Sequence, residues 1–420
     1  MAGFLIKKVG VNMKKFLMFL MAAMLIVLTA CGGKEAGGGD SDTLEIGALF
    51  PLSGDLALLG EESFRGAELA VEEINKNGGI DGKKVKLVKG DATDADAAQA
   101  EANRLVNQEN IKAIVGSFSS SISFAASEVA ERNSVLYWEL GAVSDSITDR
   151  KYKYVLRTNP PASYFSKVHV DFINDVVAEK LGKNVKDIKV AITHEDSSYG
   201  TTIAEEAKKL AEKEGINVVS VQGYSAGTND LSSVVLNLKK AAPDVLIAVS
   251  YMNDAILLTR QSAELGFKVP VFLGSGGGHT MADFQEAVGD KADGIFDVDF
   301  PQYSINREFT PGMDEFLKMY KDKYSKDPRS GHSLSNYMGM KVVLDVLAEV
   351  GEVDPDKLKD AALKYKAEAG KTSTGWGVEF NPENGQNTKS EPYVHQWING
   401  ELITVWPKKV SLEEPQISNK

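Results

Sequence analysis

From Thr43 onward, short runs rich in β-branched residues alternate with stretches whose apolar residues recur every three to four positions. This alternation decides the fold class. A strand that returns parallel to its neighbour needs a long crossover, and a helix is what fills it, so the chain reads as α/β with parallel sheets covered by helices. Residues 44–50, 85–89, 112–115 and 135–139 form a first strand series, and 189–193, 217–221, 244–250 and 269–273 a second. Between strands, Phe64, Ala67, Val71 and Ile74 recur at helical spacing before Asn77-Gly78-Gly79, and a helix over 201–214 places Ala204, Ala207 and Ala211 on one face. Two such series exceed what one sheet core absorbs, so two Rossmann-like lobes are expected. Their seam falls at Asn159-Pro160-Pro161, where paired prolines end a strand. The chain remaining after the second series includes helices over 311–323 and 333–350, some of which return to the first lobe. That implies several hinge crossovers with a cleft between lobes. The expected division is 43–158 plus about 302–388 for one lobe, about 160–300 plus about 389–406 for the other, and 407–420 as a tail.

The N-terminus reads as an address. Lys14-Lys15 precede the uncharged run 16–28, which is short for a membrane-spanning helix and matches the apolar region of a secretory signal over 1–30. It ends in Leu28-Thr29-Ala30-Cys31, which resembles the lipobox of bacterial lipoproteins, with Cys31 the lipidated residue. Residues 31–42, rich in glycine, then form a flexible tether. The body is therefore expected outside the cytoplasm, lipid-anchored to the bacterial cell membrane. Cys31 is the single cysteine, so an internal disulfide, a thiol nucleophile in the body and a multi-cysteine zinc site are excluded. The net charge is −12, and Lys7, Lys8, Lys14 and Lys15 all lie in the leader, so the body is more acidic still and disfavours nucleic acid. With 43% hydrophobic and 25% charged residues, the chain is not disordered.

Leu49-Phe50-Pro51-Leu52-Ser53-Gly54, Gly60, the run 66–71 (Gly-Ala-Glu-Leu-Ala-Val), Ile74-Asn75 and Gly78-Gly79-Ile80-Asp81-Gly82 come in the order and spacing found at the opening of a known family. Ile114-Val115-Gly116, Ser197-Ser198-Tyr199-Gly200 and Gly274-Ser275 continue the likeness over essentially all of 43–406. The chain resembles the branched-chain amino-acid-binding proteins, type I periplasmic binding proteins that deliver ligand to an ABC importer. The resemblance implies a monomeric, non-enzymatic receptor that takes no cofactor, binds a small molecule between its lobes and docks on an ABC permease.

Elementary structure points to the same place, because ligands of parallel sheets sit beyond the C-terminal strand ends, at helix N-termini with unpaired N–H groups. The loop from Gly116 to Ser121 has that position, and its hydroxyls and amides suit a carboxylate. Ser119 and Ser120 are the candidates, the equivalent of Ser120 being a carboxylate contact in the family. The loop 138–144 matches the segment where family backbone carbonyls and a threonine meet the ligand, which nominates Gly141, Ala142 and Val143. Val143 stands where the threonine is expected. On the opposite lobe Tyr199 matches a ligand-packing tyrosine, and Tyr251 falls near another. Gly276 occupies the place of the glutamate that pairs with the ligand ammonium in amino-acid binders. Glu139 or Asp254 is then expected to take over the pairing, unless the ligand is an amide or carboxylate without an amine. Glu139 ends a buried strand, and its other role is an ion pair with Arg157.

Several chemistries are set aside. Gly276-Gly277-Gly278 lacks the spacings of phosphate- or dinucleotide-binding loops. His169, His194, His279, His332 and His395 are scattered without a metal motif, and no GxSxG elbow supports a hydrolase. The leading reading is a solute-binding lipoprotein of an ABC import system. A ligand-sensing receptor of the same fold is the alternative, and an exported hydrolase is third.

Overall fold

The computed structural model describes residues 43–417. The leader, Cys31 and the tether lie outside these residues. Two large sheets organise the chain. The first has the order β2-β1-β3-β4-β5, all parallel, from β1 (Thr43–Phe50), β2 (Lys84–Asp91), β3 (Ala113–Gly116), β4 (Leu136–Glu139) and β5 (Val155–Arg157). The second begins with β6 (Lys189–Glu195), β7 (Asn217–Tyr224), β8 (Val245–Val249), β9 (Val271–Ser275) and β10 (Phe296–Asp299), again parallel. After a short ribbon of β11 (Lys366–Ala367) with β12 (Val378–Glu379), the hairpin β13 (Tyr393–Ile398) and β14 (Glu401–Trp406) completes this sheet in the order β14-β13-β10-β9-β8-β6-β7.

That hairpin adds an antiparallel edge to the otherwise parallel sheet, since β13 runs antiparallel to β10. Its strands are joined by Asn399-Gly400, a two-residue connection that only an antiparallel pair can use. The other pairings within the two large sheets are parallel. Strands β3, β4 and β8 are buried along their whole length because helices cover both faces. The helix Ser198–Lys213 buries Ala204, Ala207 and Ala211 as the spacing predicts, and the Ser197 hydroxyl accepts from the Tyr199 N–H at its start (3.2 Å).

Two crossovers position the site. Pro160-Pro161 lead from β5 into the helix Ala162–Phe172, which packs on Ser198–Lys213 and sets Phe165 edge-on to Phe300 after β10. Later, the helices Met313–Tyr324 and Gly331–Val350 return to pack on Ala57–Lys76. Tyr320 donates to Glu62 (2.6 Å) and Tyr337 to Glu73 (2.6 Å). Gly66 permits this crossing, because a Cβ there would lie 2.0 Å from the Ser333 carbonyl oxygen. Among the described residues no helix is long and apolar enough to cross a membrane.

Candidate functional site

The C-terminal ends of both sheets' strands face one another. Phe118 follows β3, Gly141 and Val143 follow β4, Tyr199 follows β6, Tyr251 follows β8, Gly276 and Gly277 follow β9, and Asp299 closes β10. With Leu59, Phe165, Phe300 and His332 they enclose a cavity of about 20 Å³. A second cavity of about 320 Å³ lies against it, sharing Leu59 and Tyr251, and is lined by Ser119, Asp254, Leu56, Met252 and Met281 among others. The inner space suits one water-sized sphere, so a ligand the size of an amino acid enters only if the walls part. The walls now touch. Ser144 Oγ lies 3.1 Å from both Thr202 Oγ1 and Ser198 Oγ, and the Phe118 and Tyr251 rings meet edge-on at 6.3 Å.

The first wall is held from beneath. Glu139 Oε1 accepts the N–H groups of Leu140 (3.0 Å), Gly141 (2.7 Å) and Ala142 (2.6 Å), while Oε2 takes the Ser117 N–H (3.2 Å) and the Tyr137 hydroxyl (3.3 Å). Arg157, opposite Glu139 on β5, donates to the Ala142 (3.3 Å) and Ser144 (2.7 Å) carbonyls, and Asn159 also donates to Ala142 (2.9 Å). Acid and base thus clamp one loop from its two polar sides and form no direct ion pair. Ser120 Oγ accepts from the Ser144 N–H (3.1 Å). Glu139, Ser120 and Ala142 therefore line neither cavity, because the polar groups they offer are engaged by the protein itself. They shape the loop that carries Gly141 and Val143. Burial raises the Glu139 carboxyl pKa against the pull of its amide donors. Trp138, on the other face of β4, is core, donating to Thr158 Oγ1 (2.6 Å) and packing on Phe380. Ser119 is the N-cap of the helix Ser120–Arg132 without a side-chain cap bond, and it borders the outer cavity.

The second wall is aromatic. Tyr199 donates to the Ser275 carbonyl, and its ring lies 5.0 Å from that of Tyr251 at a 41° tilt. Gly276 has φ +71°, and a Cβ there would meet the Tyr199 hydroxyl at 2.4 Å. A Cβ on Gly277 would lie 2.8 Å from His332 Nε2 and 3.0 Å from Leu59 Cδ2, both on the facing wall. Glycine here sets how closely the walls approach.

Two lining groups escaped sequence reasoning. Asp299 is fully buried; Oδ2 accepts from Thr280 Oγ1 (2.6 Å) and Gln302 Nε2 (3.3 Å), and Oδ1 has no partner. Burial pushes its carboxyl up to about 7 against the pull of Thr280 and the Phe300 amide. His332, in the first turn of Gly331–Val350, has both ring nitrogens unpartnered, and burial holds it neutral with a pKa of about 3. The signal for Asp299 was Phe296-Asp297-Val298-Asp299, two acids inside an apolar strand. His332 carried no signal beyond being one of five. Asp254, in the first turn of Met252–Glu264, is raised to about 6 by burial and then by Glu195.

A family model described as periplasmic binding protein matches residues 43–401. The Leu/Ile/Val-binding protein homolog 7 of Brucella suis is 44% identical over 403 residues, covering 96% of this chain and 99% of the relative. Among solved structures, the branched-chain amino acid transporter substrate binding protein LivJ from Streptococcus pneumoniae, in complex with isoleucine, aligns with a TM-score of 0.74 at 26% identity, over 87% of this chain and all of that one. A solute binding protein of an ABC transporter from Rhodopseudomonas palustris, in complex with 3,4-dihydroxy benzoic acid, aligns with a TM-score of 0.72 at 22% identity, over 89% and 97%.

Proposed function

Because the chain belongs to the periplasmic binding protein family, in its Leu/Ile/Val-binding branch, we propose that it is the extracytoplasmic solute-binding lipoprotein of an ABC importer and that it closes on a small amino-acid-like ligand. The observation that carries this reading is a single cavity lined at once by strand ends of both sheets, the position where parallel α/β sheets take ligands. Binding is the whole chemistry. Ser119, Gly141 and Val143 on one side and Tyr199, Tyr251 and Gly276 on the other are the proposed contacts, with Asp254 at the mouth. The N-terminus of the helix Ser120–Arg132, where Ser119 makes no side-chain cap bond, suits a carboxylate, and the apolar lining of the outer cavity suits an aliphatic side chain. The protein acts as a monomer that hands ligand to a permease. The test is a thermal-shift panel of L-leucine, L-isoleucine, L-valine, short amides and aromatic carboxylates. At least one is expected to raise the melting temperature at millimolar concentration, and no shift with any of them contradicts the reading.

The anchor belongs to the same proposal, supported by the apolar run that ends at Cys31. Intact-mass measurement on protein from a lipoprotein-processing host is expected to show an N-terminal diacylglyceryl-modified Cys31. An unmodified N-terminus upstream of it contradicts the assignment.

A further inference from the structure

The binding reading leaves open how the cleft would hold an amine. Gly276 offers no charge, Glu139 spends both oxygens on five donors, and Asp254 lies outside the inner cavity. Resting on that reading, we infer that Asp299, at the end of β10, is the group that receives the ligand's ammonium, and that the ligand class is therefore α-amino acids and not their amine-free carboxylates.

The argument is geometric. Asp299 lines the inner cavity and is fully buried, with Oδ2 held by Thr280 and Gln302 while Oδ1 has no partner. No ion pair among the described residues includes it. Beside it in the same lining stands His332, whose ring nitrogens are also unpartnered. Asp299 Oδ1 and the acceptor nitrogen of the neutral His332 ring thus line one space, and neither receives a donor from the protein. A buried acceptor without a donor is costly, and a buried unpaired carboxylate more so. An ammonium brings three donors and the opposite charge, which answers both. A ligand bearing only a carboxylate would bring a second negative charge to the same wall. The strong elevation of the Asp299 carboxyl pKa by burial agrees with an acid whose counter-charge arrives with the ligand.

The test is calorimetric titration of the purified protein and of D299N, each with L-leucine and with 4-methylpentanoate, which lacks only the amine. The unaltered protein is expected to prefer leucine at least 100-fold, and D299N is expected to lose most of that preference by weakening for leucine alone. D299E keeps the charge and serves as the second variant should D299N not fold; it is expected to retain at least tenfold of the discrimination. Leucine affinity in D299N within threefold of the parent overturns the proposal, as does discrimination lost in D254N and kept in D299N. If the parent binds 4-methylpentanoate as well as leucine, or binds only acids without an amine, the assignment of Asp299 fails while the receptor reading stands. If it binds none of these and nothing in the thermal-shift panel, both fail.

Discussion

Glu139 shows how a residue's cost can be legible when its role is not. An acid ending a buried strand is expensive unless something is gained, and that much follows from the sequence. What the sequence cannot convey is that the first turn beyond β4 folds back and aims three N–H groups at that carboxylate, so the acid builds the loop and does not touch the cleft. E139Q puts an amide nitrogen where an acceptor is needed, and about 2 kcal/mol of stability is expected to be lost in urea unfolding; an unchanged midpoint contradicts the role. Tyr199, Tyr251 and Gly276 were reachable because each follows a strand end. Asp299 was not, since one chain does not reveal that neither Lys nor Arg reaches it.

Asp299 also sets a pH dependence. In the unliganded fold it keeps its proton up to about pH 7, against a usual value of 3.8. Between those values the folded chain binds more protons than the unfolded chain, so this residue's contribution falls as pH rises. The buried neutral histidines His169, His279, His332 and His395 run the other way, since they keep pKa values of about 3 to 4 and the unfolded chain takes protons first as pH falls below 6.5. The difference between D299N and its parent reports the acid together with its coupling to the buried Asp297. The variant's unfolding free energy relative to the parent is expected to rise by roughly 2 to 4 kcal/mol from pH 4.5 to 7.5, and a flat difference contradicts the assigned environment.

Among elements, strands with β-branched runs and helices with an apolar stripe were legible, because both periodicities are local. The segment 389–406 is assigned to the second lobe from the sequence, but the antiparallel pairing of the hairpin β13–β14 with β10 was not legible, although Asn399-Gly400 between alternating residues is a hairpin signal, since that partner lies almost a hundred residues earlier. A return of the 333–350 helix toward the first lobe is expected from the sequence, but its crossing with Ala57–Lys76 was not legible, and that crossing rests on Gly66. In an isolated helix, alanine in place of glycine gains about 1 kcal/mol. Here the new Cβ would sit 2.0 Å from the Ser333 oxygen and 2.9 Å from the Tyr337 nitrogen, both backbone. Overpacking outweighs propensity, and G66A is expected to lose about 1 to 3 kcal/mol in the same unfolding assay; a gain in stability contradicts the crossing.

Taken whole, the molecule is two sheets facing an inner space too small for the ligand it is proposed to hold, beside a larger outer cavity, so uptake requires the walls to move. The walls meet through glycine. In G277V the branched side chain would strike His332 and Leu59, holding the walls apart and weakening ligand binding at least tenfold, as titration calorimetry reads; unchanged affinity contradicts that contact. Ligand shifts the open–closed balance only by its preference for the closed form. Small-angle scattering with and without a saturating ligand from the thermal-shift panel measures this directly. The account expects the radius of gyration to fall on saturation, and superimposable profiles at full occupancy would contradict closure around a ligand.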